Sequence, residues 1–199
     1  MMNRFLLAAL VLLAACNSKE NEGENAPSKN IPSVTIGDTV ANFFPVTSYL
    51  RGELYNIKLG GITPIKKTTI NNITDSAWVS EGNFENTFAP FLFPVIDTAN
   101  LKPTFTEKKF LDQTLNAFTF TYDPVNIVSD TFAFKHWDVY VDPDNNKVRR
   151  IYLTKKVGEN TELRLTWQSG KWCKIVTLNT ENGLTKIVKE EKIYWTFEE

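Results

Sequence analysis

The chain has 199 residues, of which 42% are hydrophobic and 13% aromatic, and its Lys+Arg 22 against Asp+Glu 23 leave a net charge of −1. That balance gives no electrostatic reason to bind nucleic acid. With His136 as the only histidine, a two-histidine metal site is excluded, and no metal or other cofactor is expected.

In chain order, Arg4 comes first, followed by an unbroken apolar run from Phe5 to Ala15 that is too short to cross a bilayer as a helix. This pattern predicts a secretion signal over residues 1–15. Leu13-Ala14-Ala15-Cys16, directly behind that run, resembles the lipobox of bacterial lipoproteins. The resemblance implies that the Cys16 thiol takes a diacylglyceryl group after cleavage. Each buried methylene contributes about 0.8 kcal/mol, so two or three acyl chains would hold the protein on a membrane where one chain would not.

Residues Asn17 to Asn30 contain no aromatic or branched aliphatic side chain, so residues 16–32 are expected to be a disordered tether. A coil of that length reaches roughly 20 Å. Its start, Ser18 to Glu22 (SKENE), resembles the export signal that Bacteroidota place after the lipidated cysteine. That implies an outer-membrane address, with the protein on the cell surface or the periplasmic face.

Residues 33–199 are expected to form one domain of ordinary size. If Cys16 carries lipid, Cys173 has no intrachain disulfide partner. Val46, Tyr49, Leu50, Leu54 and Ile57 follow Pro45 at helical spacing, and Gly60-Gly61 stops the run. Ile65 to Val79 reads as two short strands around Asn71-Asn72. A second helix is expected from about Asn83, with Phe84, Phe88, Phe91 and Leu92 on one face and Pro90 and Pro94 keeping it short.

From Phe105 onward the sequence reads as successive strands. Phe118, Phe120 and Tyr122 alternate with period two up to Asp123-Pro124. In the run from Thr131 to Val141, Phe132 and Phe134 fall on even positions and Trp137, Val139 and Val141 on odd ones, which predicts a bulge or a sharp twist near Lys135-His136. Three hairpin turns follow, at Asp142–Lys147, Gln168–Lys171 and Glu181–Leu184. A two-residue Ser169-Gly170 loop would place Trp167 opposite Trp172 on a core face with Leu163, Leu165 and Val176. Arg164, Thr166, Cys173 and Thr177 would then occupy the reverse face. The predicted architecture is α+β: an antiparallel meander of about five to seven strands with one or two N-terminal helices packed on it.

The search for chemistry finds little. Asp142-Pro-Asp144-Asn-Asn146 begins like a calcium loop, but Lys147 stands where the sharp turn needs Gly and Leu153 where a bidentate Glu belongs, so a plain turn is expected. Cys173 and His136 are the one conceivable nucleophile and base; a thiol in a strand is more commonly a small core filler. No nucleophile elbow, phosphate-binding glycine loop or dinucleotide fingerprint is present. No catalytic residue is assigned, and a non-enzymatic role is expected.

Asp38-Thr39-Val40, Asp75-Ser76-Ala77 and Asp97-Thr98-Ala99 resemble the Asp-Ser/Thr-aliphatic O-glycosylation site of Bacteroidota, which makes Thr39, Ser76 and Thr98 candidate glycan carriers. The aromatic spacing of residues 85–105 and 137–153 is similar to that of uncharacterised sheet-plus-helix lipoproteins of Bacteroidota. Two functions are compatible with these features. The first is a membrane-anchored protein binding an apolar small molecule or a glycan, marked by aromatics lining a cavity. The second is an accessory or assembly subunit docking an envelope protein, marked by an exposed apolar patch.

Overall fold

The computed structural model describes residues 43–96, 101–125 and 133–196. Cys16, Thr39 and Thr98, together with the expected signal peptide and tether, lie outside the described residues. Val40–Glu199 make up one compact unit.

Helix α1 (Val46–Leu59) forms where the sequence repeats apolar residues every three or four positions, and Val46, Leu50, Leu54 and Ile57 are its buried stripe. It stops at Gly60-Gly61, where Gly61 adopts a left-handed φ of 64° and its N–H donates to the Lys58 carbonyl. Strands β1 (Ile65–Ile70) and β2 (Ile73–Trp78) follow. Asn71 and Asn72, at φ 51° and 64°, form the two-residue turn between them. After a short 3-10 turn, α2 (Phe84–Leu92) buries Phe84, Phe88, Phe91 and Leu92, as the periodicity predicts, and Pro90 sits in its last turn.

The remaining strands are β3 (Phe105–Asp112), β4 (Ala117–Pro124), β5 (Phe134–Val141), β6 (Val148–Lys156), β7 (Thr161–Gln168), β8 (Trp172–Glu181) and β9 (Leu184–Tyr194). All nine strands join one antiparallel sheet in the order β2-β1-β9-β8-β7-β6-β5-β4-β3. The fold is therefore α+β, an antiparallel meander with two helices. Among the described residues its strands number nine, more than the five to seven expected, because β1 and β2 extend the main sheet by pairing with β9. The second helix also lies between β2 and β3 in sequence, so the chain passes from one sheet edge to the other through α2.

One face of the sheet meets the helices. Phe88 and Phe91 of α2 lie against Trp167, with ring centroids 5.9 and 5.4 Å away, and Trp195 lies 4.8 Å from Trp167. Around Trp137 the packing continues through Tyr122, stacked at 4.8 Å, Phe105 and Phe43. Apolar burial on this scale is the main stabilising contribution to the domain. The predicted bulge is present between Phe134 and His136, and it turns both Phe134 and Trp137 toward the core. Lys155 is also buried on this face, where its ammonium donates to the carbonyls of Pro90 and Phe93 at the end of α2. Those carbonyls are the ones a helix C-terminus leaves without an intrahelical donor.

The β7–β8 register differs from expectation. Gly170 takes a φ of 71° and the loop has three residues, Ser169 to Lys171, so Gln168 pairs with Trp172 and Trp167 with Cys173. A one-residue slip moves every side chain of a strand to the other face. Cys173 and Ile175 are consequently core residues, whereas Trp172, Lys174 and Val176 lie on the second face.

Candidate functional site

Because cross-strand partners share a face, the ladder registers place two parallel rows on the second face of the sheet. The first row runs Trp78 (β2), Ile65 (β1), Tyr194 (β9), Trp172 (β8). Two residues further along each strand, the second row runs Ser76, Lys67, Lys192, Lys174. Aromatic and cationic side chains thus lie side by side across four strands. The Lys192 ammonium lies 4.5 Å from the Trp172 ring centroid and 4.8 Å from that of Tyr194, and the Lys67 ammonium lies 5.6 Å from Tyr194. An open groove of about 570 Å³ lies here, lined by Ile65, Lys67, Lys171, Trp172, Lys192 and Tyr194 along with Thr196. Its volume falls within the range of small-ligand sites.

A second polar cluster lies on the same face further along the sheet. His136 Nδ1 is 2.8 Å from Asp123 Oδ1, and its Nε2 is 2.9 Å from Asp138 Oδ2. Thr121 donates to Asp138 Oδ1 at 2.7 Å, Tyr140 donates to Oδ2, and Lys108 donates to Asp123 at 3.0 Å. With both ring nitrogens facing carboxylates, the geometry favours the imidazolium form, in which neither nitrogen keeps a lone pair to act as a base. The Asp138 hydrogen bond raises the His136 pKa more than partial burial lowers it, and Asp123 adds to the rise. Burial would raise the Asp138 pKa, but the hydrogen bonds from His136 and Thr121 bring it below the usual carboxylate value. In Asp123, too, burial is outweighed by His136 and Lys108, and its pKa falls.

These shifts set a pH window. The raised His136 pKa contributes stability that is complete below the unfolded value of about 6.5 and is lost as pH rises through the folded pKa. The lowered aspartate pKa values contribute stability above about 3.8 that is lost as pH falls. Urea unfolding of the parent and His136→Gln should therefore show a wider stability gap at pH 5.5 than at pH 8.5. Equal gaps at the two pH values would refute this account.

Cys173 is fully buried beneath Trp167 on the helix-covered face, and burial, followed by the charge of Glu191, holds its thiol pKa well above the ordinary value. It has no thiolate character to exploit. His136 lies on the opposite face, so the conceivable nucleophile and base are not brought together. Asp142 Oδ1 accepts from the N–H groups of Asp144 and Asn145, which makes Asp142–Lys147 a turn closed by its own side chain. Among the described residues no group of three or more His, Cys, Asp or Glu is arranged to hold a metal ion. Ser76 sits exposed on the edge strand β2, accessible to a modifying enzyme.

The groove residues Lys67, Trp172, Lys192 and Tyr194 were not singled out by sequence. Trp172-Cys173-Lys174 and Lys192-Ile193-Tyr194 each flank a buried residue with an aromatic and a lysine, which is the signal that a correct turn length exposes. Compared with known protein families, curated proteins and solved structures, the chain matches none.

Proposed function

We propose that this protein is a membrane-anchored envelope lipoprotein, held through Cys16 on the outer membrane, that binds a glycan on the open face of its sheet and catalyses no reaction. The observation that carries this reading is the row of Trp78, Tyr194 and Trp172 beside a groove on the face away from the helices. Flat aromatic faces next to hydrogen-bond donors suit a sugar, whose ring has an apolar side and a polar rim. The aromatics of the helix-covered face pack against one another as core, which favours a surface glycan over an apolar molecule enclosed beneath the helices.

Glycan-array binding by the mature full chain tests this proposal. Saturable binding is expected, with loss of signal in Trp172→Ala at an unchanged unfolding midpoint; binding unaffected by Trp172→Ala would reject the groove. Intact mass of the membrane-derived protein should show acyl chains that Cys16→Ser lacks.

A second reading, docking of an envelope protein, draws on a different observation. Leu111 and its cross-strand partner Phe118, with Phe110 and Leu115 nearby, are each 42–50% exposed around the β3–β4 hairpin at the other end of the sheet.

A further inference from the structure

The groove has an electrostatic signature that the chain as a whole does not share. Three lysines line it, Lys67, Lys171 and Lys192, and no carboxylate does so among the described residues. Three neighbouring lysines of these strands are ion-paired. Lys174 lies 2.8 Å from Glu190, Lys66 lies 3.4 Å from Glu191, and Lys189 lies 2.8 Å from Glu191. Lys67 and Lys192 pair directly across β1 and β9, and neither has an ion pair with a described carboxylate. Like charges placed directly opposite on a sheet repel, so this pair destabilises the ladder locally. The ammonium of each rests over Tyr194, and that of Lys192 also over Trp172, which fixes the charges in place without cancelling them.

Lys67 and Lys192, held against aromatic rings and paired with no described carboxylate, are complementary to a ligand that brings its own negative charge. Building on the glycan-binding reading, we propose that the groove selects an acidic oligosaccharide, one whose sugar units carry carboxylate groups. Lys67 and Lys192 take the carboxylate, and Trp172 and Tyr194 contact the apolar faces of the sugar rings. Neighbouring strands are about 4.8 Å apart, so the aromatic row from β2 to β8 spans roughly 14 Å, room for a short run of sugars lying across the strands. A lipid surface fits less well, because the ammonium groups of Lys67 and Lys192 lie against the half-buried rings of Tyr194 and Trp172.

The test measures binding of the mature full chain to arrayed uronic-acid oligosaccharides and to neutral oligosaccharides of equal length, and to vesicles of phosphatidylglycerol in phosphatidylcholine. Uronic-acid glycans are expected to bind, with affinity falling as salt rises. The double variant Lys67→Gln/Lys192→Gln should weaken that binding by roughly tenfold or more, the scale of one lost charge-assisted contact. Removing opposed like charges does not endanger the fold, and an unchanged unfolding midpoint would verify this. If neutral glycans bind as well as acidic ones and the double variant binds normally, the acidic selection is wrong while the glycan reading stands. If no glycan binds, both are wrong. Binding to the anionic vesicles without binding to acidic glycans would overturn the proposal in favour of a membrane-facing role.

Discussion

Trp167→Ala is expected to destabilise the domain by about 3–5 kcal/mol, among the largest effects of any single truncation in this core. Trp167 is fully buried and is the point where Phe88 and Phe91 of α2 meet Trp195 and the central strand β7. Its removal strips apolar contact from both layers at once and leaves a space that three aromatic rings cannot close without leaving their own sites. Small domains are stable by only about 5–15 kcal/mol, so a drop of roughly 10 °C in the thermal midpoint is expected. The indole nitrogen has no hydrogen-bond partner among the described residues, so the contribution of Trp167 is shape and area. Trp167→Phe, which keeps a ring but not the N–H, should lose clearly less than the alanine variant. Equal losses for the two would show that the site collapses freely and that α2 is not seated by this side chain.

Lys155 governs a second large effect, and its sign follows from linkage. Burial pushes the Lys155 pKa down to about 8 from an ordinary 10.5. Between those values the unfolded chain binds a proton that the folded one does not, so folding stability rises with pH across that interval. At roughly 1.4 kcal/mol per pKa unit, reduced for solvent screening and for the two carbonyls that favour the ammonium, the gain is on the order of 1–2 kcal/mol. In Lys155→Met this rise should vanish. Tyr140, whose pKa is pushed up to about 12, and Tyr122, also raised, act in the opposite direction at higher pH, but they do so in both proteins. Denaturant midpoints of parent and variant at intervals from pH 7.5 to 10 would therefore diverge steadily, and parallel curves would contradict the assignment. The same substitution leaves the Pro90 and Phe93 carbonyls without their donor, so amide exchange should also quicken in the last turn of α2.

The elements that were legible in the sequence are those specified by neighbours in the chain. The α1 stripe repeats at 3.6-residue spacing, the Asn71-Asn72 and Asn182-Gly183 turns adopt the positive φ that those residues tolerate, and the bulge before His136 follows from a change of phase. The face of β8 was not legible, because it depends on whether the Gln168–Lys171 turn uses two residues or three. Both are compatible with the letters, and one residue decides whether Trp172 or Cys173 enters the core. The joining of the β1–β2 hairpin to β9 was not legible either, because that pairing is between segments far apart in the chain, and it accounts for the low expected strand number. The groove was hidden for another reason. Two of its lysines, Lys67 and Lys192, come from β1 and β9, far apart in sequence, and a net charge near zero conceals a local surplus that only their pairing assembles.

The pairing of β1 with β9 also orders events in time. Strands β3 to β9 form an unbroken succession of hairpins, each able to close on its predecessor as the chain emerges. Residues 46–78 hold the first helix and the first hairpin, yet the strand that receives them is the last one made. The earliest part of the domain must therefore wait for the latest. Until then the β1–β2 hairpin has no sheet to join, and the outer edge of β9 remains open to whatever reaches it first.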